Sequence, residues 1–147
     1  MKPTVDVLKA ELRPETVANT HGTFSRILVV EDERIVALDL AATLKELGYA
    51  VVGSVGSGEA AVEQATGLRP NLVLMDIRLT GEMDGIEAAQ SIRKEFDVPI
   101  IYLTAHDEPA TREEAQSAGC AAYFRKTDSG ADLLAAIRRA IGMEGPD

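Results

Sequence analysis

A single cysteine in 147 residues excludes an internal disulfide, since a bridge takes two thiols. No apolar stretch approaches the roughly 20 residues that cross a bilayer, and the chain does not open on a basic, then apolar, signal segment. Internal repeats and low-complexity tracts are missing too. Basic residues are scarce: 15 Lys and Arg stand against 24 Asp and Glu, a net charge of -9. That balance speaks against a nucleic-acid partner, which needs a basic surface. These absences lead us to expect a cytoplasmic protein bound to neither nucleic acid nor membrane. Cys120, at the mouth of an apolar strand, is read as a small core residue rather than a redox site.

What the chain does have is a 46% hydrophobic share, enough for one packed domain that buries roughly two thirds of its unfolded surface. The apolar residues come in short runs closed by polar ones. Leu72-Val73-Leu74-Met75 runs into Asp76-Ile77; Ile27-Leu28-Val29-Val30 ends in Glu31-Asp32; Val98 to Leu103 ends in Thr104; Ala121 to Phe124 ends in Arg125-Lys126. Runs of this length read as parallel strands covered on both faces. Between them lie helical patterns. Helix 1 is expected over 33–47, with Ile35, Leu38, Leu40, Ala42, Leu44 and Leu47 as its apolar stripe, strand 2 over 50–55, and helix 2 over 58–66, closed by Gly67 and Pro70. Asp84 should cap helix 3, with Glu87 at the capping-box position. Helix 4 is expected over 107–118, and helix 5 after a cap at Asp128 or Ser129, its face made by Leu133, Leu134, Ile137 and Ile141. Alternating strands and helices predict an α/β fold, a doubly wound five-stranded parallel sheet of order 2-1-3-4-5.

In such a sheet the carboxyl ends of the strands share one rim, where ligands bind. That rim gathers Glu31, Asp32, Asp76, Thr104 and Lys126. Each has an ordinary structural explanation on its own, as a cap, a turn residue or a solvated charge. Their coincidence at four strand ends is what points to chemistry. Carboxylates so placed repel unless a divalent cation joins them, and one or two carboxylates with water and phosphate is how Mg2+ is usually held. An Asp there can act as a nucleophile toward phosphorus.

The ordered set Val29-Val30-Glu31-Asp32-Glu33, Leu74-Met75-Asp76, Met83-Asp84-Gly85, Thr104-Ala105 and Tyr123-Phe124-Arg125-Lys126 resembles the receiver domain of two-component response regulators, over residues 27–142. The resemblance implies a flavodoxin-like receiver fold and a Mg2+-dependent reaction in which Asp76 accepts phosphoryl from a phosphohistidine on a sensor histidine kinase or phosphotransfer protein. It implies that Asp32 and the backbone carbonyl of Arg78 bind Mg2+ directly and Glu31 through water, that Thr104 and Lys126 bind the phosphoryl oxygens, and that Tyr123 changes rotamer with Thr104. The surface of helix 4, strand 5 and helix 5 is then the expected site for a downstream protein or a second copy. Self-phosphorylation and self-dephosphorylation are expected, without turnover. Arg78 and His106, at the mouth of the site, lack the acid or amide that orients an attacking water, so slow self-hydrolysis is expected, with Arg78 able to cover the phosphoryl oxygens.

Two departures from the family pattern stand out: Thr127 where a Pro usually follows the Lys, and a loop after Asp76 longer by one residue and without its common Pro. Residues 1–26 fall outside the pattern and read as a flexible leader, with Val5, Leu8 and Leu12 on one face of a short helix ended by Pro14 as the other reading. Residues 143–147 read as a tail, which makes the chain a stand-alone receiver. Two alternatives keep the fold or the nucleophile: an interaction module that is not phosphorylated, and a phosphatase of the haloacid dehalogenase type, suggested by Asp76-Ile77-Arg78-Leu79-Thr80 with Arg78 in place of the second Asp.

Overall fold

Strand β3 (Leu72–Met75) is buried at every position, as an unbroken apolar run in the middle of a covered sheet should be. In the computed structural model it is flanked by β1 (Arg26–Val30) and β4 (Ile100–Thr104), with β2 (Ala50–Val55) and β5 (Ala122–Arg125) at the edges. All pairings are parallel, in the order β2-β1-β3-β4-β5. The structure describes residues 25–105, 107–128 and 130–142. The readings made for residues 1–24, for His106 and Ser129, and for 143–147 lie outside the described residues.

Among the described residues, four helices connect the strands, α1 (Arg34–Glu46), α2 (Gly58–Leu68), α3 (Gly85–Glu95) and α4 (Pro109–Ser117), and α5 (Gly130–Ile141) follows β5. Alternation along the strands sorts the core into two layers. Leu28, Val30, Val73, Met75, Ile100 and Tyr102 pack with Ala61 and Ala65 of α2, Ile86 and Ile92 of α3, and Ala115 of α4. Ile27, Val29, Leu72, Leu74 and Ile101 pack with Leu44 of α1 and with Leu134 and Ile137 of α5. No helix among the described residues is long and apolar enough to cross a membrane.

Several local expectations need correction. Ile35 and Leu38 are 82% and 57% exposed, because the stripe read for α1 merged two lines of the helix. Residues 37, 40, 44 and 47 lie on the line that faces the sheet, whereas 35, 38 and 42 follow a line about 200° away at 100° per residue. Helix α2 runs two residues past the expected end. It takes Gly67 into its body and closes on Arg69, the non-glycine residue in the left-handed region at φ 51°. Helix α4 starts two residues late, at Pro109, since the residue before a proline is driven to extended backbone and Glu108 sits at φ -78°, ψ 145°. The Asp84 cap behaves as read: its carboxylate accepts from the Glu87 N–H, and Glu87 accepts from the Asp84 N–H.

Candidate functional site

Register carries each site residue to the same rim. Val30 of β1 pairs with Met75 of β3, Met75 with Tyr102 of β4, and Thr104 with Arg125 of β5. The chain therefore leaves the neighbouring β1 and β3 at Glu31 and Asp76 side by side, and leaves β5 at Lys126 on the far side of β4. Backbone bonds hold the exits: Glu31 N–H to Val55 O at 2.9 Å, Asp76 N–H to Val30 O at 2.9 Å, and Lys126 N–H to Thr104 O at 2.9 Å. Glu31 and Asp76 are each 5% exposed, and Thr104 is fully buried.

Carboxylate oxygens of Glu31, Asp32 and Asp76 all lie within 4.8 Å of one another. The Lys126 ammonium sits among them, 2.6 Å from Glu31 Oε1, 3.2 Å from Asp76 Oδ2 and 3.6 Å from Glu33 Oε1. The other oxygens are engaged by the chain itself: Asp76 Oδ1 accepts from the Ile77 N–H at 2.7 Å, and Glu31 Oε2 from the Glu33 N–H at 3.0 Å. Asp32 is exposed. Burial pushes the Glu31 carboxyl up despite its hydrogen bond from Lys126, and the Asp76 charge adds to the rise. Burial alone would pull Lys126 down, yet its bond to Glu31 and the charges of Asp76 and Glu31 hold it above the usual lysine range. The two shifts differ in their leading cause, burial for Glu31 and the neighbouring acids for Lys126, but the excess of negative charge over a single ammonium pushes both the same way. Hard oxygen donors with an unbalanced charge are the donor set that suits Mg2+.

The segments around this cluster explain how the two departures from the family pattern are accommodated. After Asp76, the loop without a proline is tied down by Thr80, whose hydroxyl donates to Gly56 O at 2.8 Å while Ser57 and Thr80 form a parallel bridge. After Lys126, the turn without a proline is closed by Asp128. Its N–H reaches Arg125 O at 2.9 Å, and its carboxylate takes the Arg125 N–H at 2.8 Å and the guanidinium at 3.0 Å. Asp128 thus turns back to β5, and these bonds hold its carboxyl below the usual range.

Tyr123 lies on β5 with its ring beneath the Arg112 guanidinium, 4.7 Å from the centroid. Burial, and after it the hydrogen bond to Asp107, push its phenol up to about 12. Asp107 also faces Arg112 at 3.7 Å and Arg125 at 3.8 Å. Among the sequence-selected residues, Glu31, Asp32, Asp76 and Lys126 come together directly. Thr104 closes the next strand, and Tyr123 lies on the edge strand beyond it. The Arg78 side chain points elsewhere, to Glu108 at 2.8 Å. Cys120 is partly buried against the core layer of α2, α3 and α4, and burial raises its thiol.

Three contributors were missed. Asp107 and Glu108 gave no sequence signal beyond a helix start. Gly85 was noted in a motif without a reason, and the structure supplies one. Its N–H donates to Ile77 O at 2.7 Å, and a Cβ there would overlap the Asp76 carbonyl oxygen and come 2.9 Å from Ile77 Cα. Only a glycine lets α3 approach the end of β3 this closely.

Comparison with known proteins agrees with this arrangement. The model of the response regulator receiver domain matches residues 27–138, so the chain belongs to that family, the phosphorylation-responsive module of two-component signalling. It is 42% identical over 116 residues to the transcriptional regulatory protein PdtaR of Mycobacterium tuberculosis, a match covering 79% of this chain and 56% of that protein's length. The signal receiver domain of a modulated diguanylate cyclase from Desulfovibrio desulfuricans superposes with a TM-score of 0.74 at 36% identity, covering 80% of this chain and 93% of that one. The BeF3-activated N-terminal receiver domain of Klebsiella pneumoniae RstA does so with 0.73 at 33% identity, covering 79% and 97%.

Proposed function

We propose that Asp76 accepts a phosphoryl group from a phosphohistidine of a sensor kinase or phosphotransfer protein. The observation that carries this reading is the buried Asp76 carboxylate, within 4.8 Å of two further carboxylates and 3.2 Å from the Lys126 ammonium. An Asp76 oxygen forms the bond to phosphorus as the phosphorus–nitrogen bond breaks and its electron pair returns to the imidazole. Lys126 follows the charge, trading its hold on Asp76 for the phosphoryl oxygens, while Glu31 keeps it in place. Thr104, on the neighbouring strand end, supplies a hydroxyl donor. Asp32, Asp76 and the Arg78 carbonyl would hold Mg2+, with Glu31 acting through water; the ion, when bound, would neutralise carboxylates that otherwise repel the incoming group.

Ile35 and Leu38 support a protein as the donor, since they expose apolar side chains on the helix that begins just after Glu31 and Asp32. Loss of the phosphoryl group is self-hydrolysis, without turnover. Thr104 and Tyr123 relay the change to the α4, β5 and α5 surface, which a downstream protein or a second copy reads. The RstA receiver is described as BeF3-activated, which supports the same mode of switching here. The family match across residues 76–80 weighs against the phosphatase reading.

Incubation with acetyl phosphate and Mg2+ is expected to add the mass of one phosphoryl group to the protein, with none added to Asp76→Asn or after chelation of the metal. Labelling of Asp76→Asn at the unmodified rate would overturn the assignment, and a wild-type protein that gains no mass would leave only an unphosphorylated interaction module.

A further inference from the structure

Arg78 stands two residues past Asp76 in the chain, but its guanidinium is committed elsewhere. Its Nη2 donates to Glu108 Oε1 at 2.8 Å. The same oxygen accepts from the Thr111 hydroxyl at 3.3 Å. Glu108 precedes Pro109 as the N-cap residue of α4, yet its carboxylate caps no backbone N–H of that helix. The ion pair thus straps the loop after β3 to the start of α4, across 30 residues of sequence. Both side chains are about half exposed, so solvent screens the pair and it exchanges readily.

Resting on the reading of Asp76 as the phosphoryl acceptor, we propose that Glu108 is a positioning residue for this site: it competes with the phosphoryl group for Arg78. A phosphoryl group on Asp76 brings nearly two negative charges and three strong acceptors. A guanidinium fork matches such a group better than it matches one carboxylate oxygen. Arg78 changes partner, and the loop is released from α4. Because coupling is reciprocal, the Arg78–Glu108 pair weakens the hold on the phosphoryl group by the factor that the phosphoryl group weakens the pair.

Beryllofluoride with Mg2+, titrated into the full chain and followed by amide shifts, tests this. Glu108→Gln is expected to tighten half-saturation about twofold to fivefold, the range set by an exposed ion pair. Arg78→Gln is expected to weaken it, and adding Glu108→Gln to Arg78→Gln is expected to change nothing further. Unchanged affinity in Glu108→Gln overturns the proposal. So does a gain that persists without Arg78, since that is a through-space charge effect. Failure of the Asp76 reading looks different: the wild-type protein then shows no saturable beryllofluoride binding, and the competition falls with it.

Discussion

At the amino-terminal rim of the sheet, Arg26 donates to the carbonyl oxygens of Leu68 and Arg69, Asn71 accepts the Arg26 N–H, and Ser25 O accepts the Ala50 N–H. Among the described residues there, donors meet acceptors, and the one charge, on Arg26, is spread over neutral carbonyl oxygens with no cluster of like charges. At the carboxyl rim, Glu31, Asp32 and Asp76 converge on a single ammonium, with Glu33 nearby. One rim is built for closure and the other keeps an unmet demand for positive charge. Buried groups that folding alone selected would be paired off, because an unbalanced buried charge costs stability. The imbalance therefore marks the functional end of a sheet whose two ends share the same strands.

The comparison breaks most sharply at glycine. Gly85→Ala pushes a methyl group into the backbone where β3 ends, with a loss of about 3 kcal/mol expected in urea unfolding. Gly67→Ala, in α2 near the opposite rim, meets nothing within 4 Å, and a gain of about 0.5–1 kcal/mol is expected from helix propensity.

Lys126→Met removes the one ammonium that, among the described residues, meets the three-carboxylate cluster. A partly buried pair broken on one side is expected to cost about 2 kcal/mol at neutral pH, below the range for fully buried pairs. The deficit should shrink on acidification. Glu31 binds its proton more readily folded than unfolded, so its contribution to stability declines as pH rises from the ordinary 4.5 through its raised folded value. Unfolding curves on both sides of that range check the sign.

Asp32→Ala sharpens the contrast in the other direction. Asp32 is exposed, and its loss is expected to shift stability by less than about 0.5 kcal/mol. Mg2+ affinity, measured by titration, is expected to fall at least about tenfold, since the proposed metal site would lose one of its few charged ligands. Unchanged affinity would make Asp32 a helix-start residue only.

The sheet order and the strand ends were legible because they rest on composition: apolar runs of strand length closed by polar groups place their last residues on one rim whatever the loops do. The site acids were legible for the same reason. What escaped depends on phase and reach. Ile35 and Leu38 differ from Ala37 and Leu44 only in which side of α1 they occupy, and a merged stripe hides that. Glu108 and Asp107 act through side chains spanning distant segments, and no local pattern encodes Arg78 meeting a residue beside Pro109. Asp128 and Ser129 were read together as candidates for the α5 cap; the bonds that Asp128 makes back to Arg125, closing the turn where 127 is not a proline, had no local signal.

Reduction with borohydride after incubation with acetyl phosphate and Mg2+ tests the central claim most directly, since it converts an aspartyl phosphate to homoserine at the residue that carried it. Homoserine at position 76 and nowhere else is the expected peptide spectrum. Homoserine at another aspartate, or none in a protein that has gained a phosphoryl mass, would contradict it.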